Sequence, residues 1–165
     1  MSTLAVNIET KISGTHVNAG DLQTATAPIL KDVILALTNG VGANQADLYW
    51  SDTRTLTTGA ADSIDLAGVL TDPAFGNVLT FARIKAIFIW NKLAANKQLV
   101  VGGGSNPWIG AGALATKINP GGAILLTSPD ATAYPVVAGT GDILTITNAS
   151  GGDSTYDIII IGASS

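Results

Sequence analysis

The sequence predicts an all-β fold, an antiparallel sandwich of about eight strands with one short helix. Three observations carry that expectation. From residue 45 onward, short apolar and β-branched runs alternate with clusters of Gly, Pro, Asn and Asp, the punctuation of strands and turns. The chain has 165 residues and a hydrophobic fraction of 47%, enough for one self-sufficient core with or without an added arm. No fixed-period repeat stands out, which argues against a propeller or a β-helix.

The N-terminal segment alternates cleanly. Leu4, Val6, Ile8 and Ile12 share one face, while Asn7, Glu9, Lys11 and Ser13 share the other, as in a half-buried strand. Ser13-Gly14 and Asn18-Ala19-Gly20 break it. At this terminal position the strand either completes its own sheet or reaches onto a neighbour, and residues 1–20 are read as a strand or arm. Residues 21–45 are read as a helix, about 27–38, and a linker. Pro28 suits a first helical turn, Ile29, Leu30, Val33, Ile34 and Leu37 recur at helical spacing, and Asn39-Gly40 supplies a left-handed ending. Such a helix caps one end of the sandwich or serves a partner.

Residues 46–165 form the predicted sandwich. Strands are expected near 46–57, 62–67, 78–91, 97–102, 122–127, 141–148 and 155–162. Turns fall at Thr58-Gly59, Asp72-Pro73, Gly76-Asn77, Asn119-Pro120-Gly121-Gly122, Ser128-Pro129-Asp130, Gly139-Thr140-Gly141 and Ser150-Gly151-Gly152-Asp153. With the N-terminal strand the count reaches about eight, which favours a jelly-roll-like arrangement.

Two strands depart from half-buried alternation. In Arg83–Trp90, Ile84, Ala86, Phe88 and Trp90 face one way, and Ile87 and Ile89 continue the face begun by Arg83 and Lys85. In the second, Ile158 and Ile160 oppose Ile159 and Ile161. A strand apolar on both faces has something over both. The outer cover is the helix with the 103–121 loop, or another subunit. Four wet isoleucines would forgo ~6–12 kcal/mol at ~1.5–3 each, so either cover is energetically sufficient. A charged fraction of only 12%, about half the usual ~25%, favours the oligomer. The expected interface residues are Leu4, Val6, Ile8, Ile87, Ile89, Trp108, Ile159 and Ile161.

Little in the sequence points to chemistry. The net charge is −4 and the eight basic residues are scattered, unlike the clustered cations that bind nucleic acid. The absence of Cys removes disulfides and thiolate ligands. The start lacks a basic, continuously apolar leader, and no apolar run approaches the ~20 residues that span a bilayer, so synthesis in the cytoplasm and no membrane partner are expected. The single His, His16, stands between Gly14 and Gly20 and reads as a solvated loop residue. Gly102-Gly103-Gly104-Ser105-Asn106-Pro107 lacks the Gly-Lys-Ser/Thr of a phosphate loop. Strand alternation puts Asp62 and Asp65 on opposite faces, against an acid–base pair. Asp130, Asp142 and Asp153 are the candidates for a loop calcium site, without an EF-hand pattern. Neither a catalytic residue nor a cofactor is expected. A sugar platform needs exposed aromatics, and Trp108 is the one Trp placed in a loop; as an anchor in packing or an interface it is better explained.

Several stretches resemble small structural proteins of tailed bacteriophages. They are Ala46–Leu56, Leu79–Ile87, Leu99–Trp108, Pro120–Leu126, Gly141–Asn148 and Tyr156–Gly162. None is a catalytic signature; the likeness lies in strand and turn rhythm. It implies a jelly-roll-like virion component, such as a capsid decoration (cement) protein, or a tail or fibre subunit. It further implies self-association, for example as trimers, and seating on the major capsid protein. The first 45 residues lie outside the resemblance and are the expected docking arm.

Overall fold

A computed structural model of the chain describes residues 3–68, 70–92, 97–109 and 115–165. Its strands are β1 (Val6–Ala19), β2 (Thr24–Asn39), β3 (Gln45–Ala46), β4 (Leu48–Leu56), β5 (Ala61–Asp65), β6 (Leu70–Thr71), β7 (Val78–Leu79), β8 (Arg83–Asn91), β9 (Leu99–Val101), β10 (Thr116–Ile118), β11 (Ala123–Thr127), β12 (Tyr134–Pro135), β13 (Ile143–Asn148) and β14 (Ser154–Ala163). There is no helix among the described residues, so the all-β expectation holds.

The body is two sheets, ordered β10-β9-β13-β5 and β11-β8-β14-β4, with β12 added beside β8. Pairing is nested: β4 joins β14, β5 joins β13, β8 joins β11 and β9 joins β10, all antiparallel. The first half of the body therefore pairs with the second half in reverse order, as a long hairpin rolled over on itself would. Alternation decides what fills the space between the sheets. Ile158 and Ile160 of β14, Ile87 and Ile89 of β8, Ile146 of β13 and Leu99 of β9 are buried in one core cluster with Phe81 and Leu66. The two sheets are also clamped by polar groups at one end. Asp62 on β5 receives the Tyr156 hydroxyl at 2.7 Å and the Arg54 guanidinium through Nε and, at 3.0 Å, Nη2.

The segment expected as a helix is a strand. β2 pairs with β1 antiparallel without interruption from Val6↔Leu37 to Ala19↔Thr24. A short helix survives in water only by packing, and here continuous backbone pairing with β1 offers more than a lone amphipathic turn could. Ile29, Val33 and Ile34 are β-branched and suit a pleated ribbon. The helical spacing of the apolar residues was also compatible with a strand that is apolar on both faces. Pro28 is tolerated because a two-stranded ribbon consists of edges, where a missing N–H faces outward.

The two strands form an arm that projects from the body. Only its root is covered: Val6, Ile8 and Leu35 are half-buried, Leu37 is buried, and from Glu9 to Ile34 every described residue is exposed. Polar bonds fix the root. The Asn44 amide donates to the Pro129 carbonyl at 2.7 Å, and β3 runs parallel to the end of β2. The buried Lys85 donates to the carbonyls of Gly42, at 3.1 Å, and Asp130. Removal from water pushes the Lys85 ammonium below the ordinary lysine range, with Arg83 adding to the effect and Asp130 opposing it.

Candidate interaction surface

The arm and the outer face of the β11-β8-β14-β4 sheet define one surface. Register places arm side chains on two unlike faces, because opposed residues of an antiparallel pair share a face. One face runs Val6/Leu37, Ile8/Leu35, Thr10/Val33, Ile12/Lys31 and Gly14/Ile29. As far as Gly14/Ile29 it is an apolar stripe interrupted by Thr10 and Lys31, and it continues outward as His16/Ala27 and Asn18/Ala25. The other carries Asn7/Ala36, Glu9/Ile34, Lys11/Asp32 and Ser13/Leu30, a mixture of charged and apolar groups.

The root of the apolar stripe packs on the body's own outer face. Leu37, Ala46, Ala86 and Ile161 form a second buried cluster, joined by Leu4, Val6, Ile8, Leu35, Tyr49 and Ile159. Pairing across the sheet orders this face into rows. Thr127, Ala86, Ile161 and Tyr49 stand in one row, and Leu125, Phe88, Ile159 and Ser51 in the next. A third holds Ala123, Trp90, Asp157 and Thr53. The arm root covers the first row. Between it and the second lies a groove of about 360 Å³ lined by Val6, Ile8, Phe88, Leu125 and Ile159 among others. Leu125 and Trp90 remain 38% and 40% exposed. Trp90 ends the apolar patch with Lys92 Nζ 6.0 Å from its ring centroid, and the same ammonium lies 3.1 Å from Asp157 Oδ1.

The expected interface residues separate into two groups. Leu4, Val6, Ile8, Ile159 and Ile161 do gather at the arm root and outer face. Ile87 and Ile89 do not: they are 2% and 1% exposed in the inter-sheet core and have no surface to offer. The reason is a register shift at Lys85. Ile161 pairs with Ala86 but Gly162 pairs with Ile84, so Lys85 is an extra residue that reverses the parity of β8. Ala86, Phe88 and Trp90 therefore face outward although Ile84 faces the core. Trp108 is also core, 7% exposed and edge-on to Tyr134 at 5.8 Å. Trp108 and Ile109 pack into the inter-sheet cluster and not over the outer face, and residues 110–114 of the loop expected as a cover lie outside the described residues. The cover over Ile161 is intrachain, supplied by the arm root in place of a helix.

Sequence reasoning missed Phe88, Trp90, Leu125 and Tyr49 as surface residues. The alternation Ala86-Phe88-Trp90 was a usable signal, but the charges of Arg83 and Lys85 pointed to the wrong side.

The polar candidates fall into structural settings. His16 stands exposed in β1, not in a loop. Asp62 belongs to the inter-sheet clamp, and Asp65 accepts the Ala67 amide at 2.9 Å. Asp130 accepts the Thr132 hydroxyl and the Thr132 and Ala133 amides, and with Ser128 these donors hold its carboxyl well below the usual range. Asp142 receives the Gly139 amide. Among the described residues no three His, Cys, Asp or Glu side chains group as a metal site.

No family model matches the chain, and no curated protein matches it. Among solved structures it is similar to PliG of Aeromonas hydrophila, a periplasmic inhibitor of g-type lysozyme. The identity is 12%, with 68% of this chain and 84% of that chain covered, at a TM-score of 0.35. A likeness at that level carries no argument about function.

Proposed function

We propose that this chain is a non-enzymatic structural protein of a tailed-bacteriophage virion, a decoration (cement) protein seated on the capsid exterior. The observation that carries the reading is the projecting arm with its bare apolar stripe, beside an apolar row on the body that its own root leaves open. A monomer gains nothing from holding such surface in water; a component of an assembly does. The body is read as a jelly roll. The nested pairing of β4–β14, β5–β13, β8–β11 and β9–β10 supports this, since two interleaved Greek keys are built in that order.

In this role the protein is made in the host cytoplasm, self-associates, and binds where major capsid proteins meet. Contacts present only in the assembled shell stabilise that shell by mass action. Purified heads stripped of the protein should rebind it and become more resistant to heat. Failure to bind heads would overturn the reading, and co-purification with tails would redirect it to a tail or fibre subunit. One observation favours a second reading, carbohydrate binding: Trp90 is partly exposed on the outer sheet face beside Lys92 and Asp157. Glycan-array signals lost in Trp90→Ala would support it.

A further inference from the structure

We infer that the occupant of the groove beside Phe88, Leu125 and Ile159 is the arm of a second copy of this chain, inserted by its apolar stripe. The inference deepens the assembly reading above by naming the partner of that surface.

The intrachain contact supplies the template. At the root, the stripe residues Val6, Ile8, Leu35 and Leu37 already lie on Ala86 and Ile161 of the same sheet face. The stripe continues outward with the same chemistry as Val33, Ile12 and Ile29, which are 48%, 61% and 52% exposed. The sheet face continues too, through Ile159, Phe88 and Leu125. Stripe and row would meet as a repeat of a contact that the fold itself makes. They do not meet within one chain: the ribbon is paired in unbroken register to its tip, and from Glu9 to Ile34 every residue is exposed, so the distal stripe does not lie on its own groove.

Stability of the arm points the same way. A two-stranded hairpin is marginal by itself in water, yet this one extends ten residue pairs beyond the root, from Thr10↔Val33 to Ala19↔Thr24. At ~3.3 Å per residue and a ribbon ~10 Å wide, one distal face presents about 300 Å². Reciprocal insertion of that whole face against an equal area of sheet would give each copy about 600 Å², the lower edge of the ~600–1,000 Å² per partner of stable interfaces, reached only when the outer His16/Ala27 and Asn18/Ala25 pairs are seated along with the apolar stripe. Charge selects the face. The mixed face carries Glu9, Lys11 and Asp32, whose desolvation against Phe88 and Leu125 would be unfavourable. The other face carries one formal charge, Lys31 within the stripe, whose stem can lie along the row while its ammonium reaches water, with His16 and Asn18 further out beyond Gly14/Ile29.

The chain has no Cys, which permits a clean test on the full-length protein. Ile12→Cys and Leu125→Cys are made separately, mixed, and oxidised. The expected result is a disulfide-linked pair containing one chain of each variant, formed faster than either self-pair. Mass photometry at micromolar concentration should show oligomers for the unaltered chain and for Leu22→Ser, at the arm tip. Oligomers should be lost in Ile29→Lys/Val33→Lys, two exposed sites whose change leaves the β circular-dichroism spectrum intact. A monomeric unaltered chain, or an oligomer that persists in the double Lys variant without mixed cross-links, overturns the inference. The two readings fail separately. Heads that bind a monomer sink the arm exchange alone, whereas an arm-exchanged oligomer that ignores heads sinks the virion assignment alone.

Discussion

Tyr156→Phe isolates one interaction between the two sheets. Tyr156 is fully buried on β14, and its hydroxyl donates to Asp62 Oδ2 across the sandwich at 2.7 Å. The substitution deletes one oxygen and leaves the ring packing in place. Hydrogen bonds to charged partners contribute about 1.5–3 kcal/mol. Asp62 keeps its contacts with Arg54, so no carboxylate is orphaned and the loss should sit near the low end, about 1.5–2 kcal/mol. A second signature comes from pH. Burial first, then the Asp62 hydrogen bond, push the phenol far above its ordinary value of 10. Above pH 10 the unfolded chain therefore loses a proton that the folded chain keeps. Stability attributable to Tyr156 must fall as pH rises, by up to about 1.4 kcal/mol per pH unit. The Phe variant lacks this dependence, so the gap between the two proteins should narrow above pH 10. Urea titrations followed by circular dichroism at pH 7, 9, 10.5 and 11 read both effects. A cost below about 0.5 kcal/mol at pH 7, or a gap unchanged to pH 11, would refute the clamp.

Three further perturbations test other parts of the fold. Gly162→Ala should destabilise by about 1–3 kcal/mol, because a Cβ there would collide with the Arg83 carbonyl and stand 2.6 Å from Phe81 Cδ1; an unchanged urea midpoint would contradict the packing. Lys85→Met keeps the stem but leaves the Gly42 and Asp130 carbonyls without their donor, so amide exchange at residues 40–44 should accelerate while β14 stays protected. The Asp130 carboxyl is held below the ordinary range mainly by hydroxyl and amide donors, and that of Asp157 by the Thr53 hydroxyl and the Lys92 ammonium. Their stabilisation is complete above about pH 4 and is lost as pH falls below it, so Asp130→Ala should flatten the acid limb of a melting-temperature profile; an identical limb would show the turn bonds to be inert.

Much of the body was legible because turn chemistry is local. Asn119-Pro120-Gly121-Gly122 and Ser150-Gly151-Gly152-Asp153 stop strands through backbone preferences that need no partner, and the observed β11, β13 and β14 begin or end beside them. The candidate surface was legible in part. The double-faced pattern of β14 is seen in the fold, with Ile158 and Ile160 in the inter-sheet core and Ile159 and Ile161 beside the arm root, and Leu4, Val6 and Ile8 join that second cluster as their shared face suggested. For β8 the reading failed at the bulge. A single extra residue reverses every later side chain, and nothing local to Lys85 announces it.

The sequence by itself determined that this chain is β-rich, where its turns lie, and that some strands are apolar on both sides, since these follow from alternation and backbone preference within a few residues. Tertiary structure decided that residues 24–39 are an arm strand instead of a helix, which face of β8 is buried, and what lies over Ile161. Those outcomes depend on pairing between distant segments: β1 with β2, β8 with β14, and the arm root with the sheet. The same residues satisfy a helix or a strand locally, and only the free energy of the partner they meet separates the two.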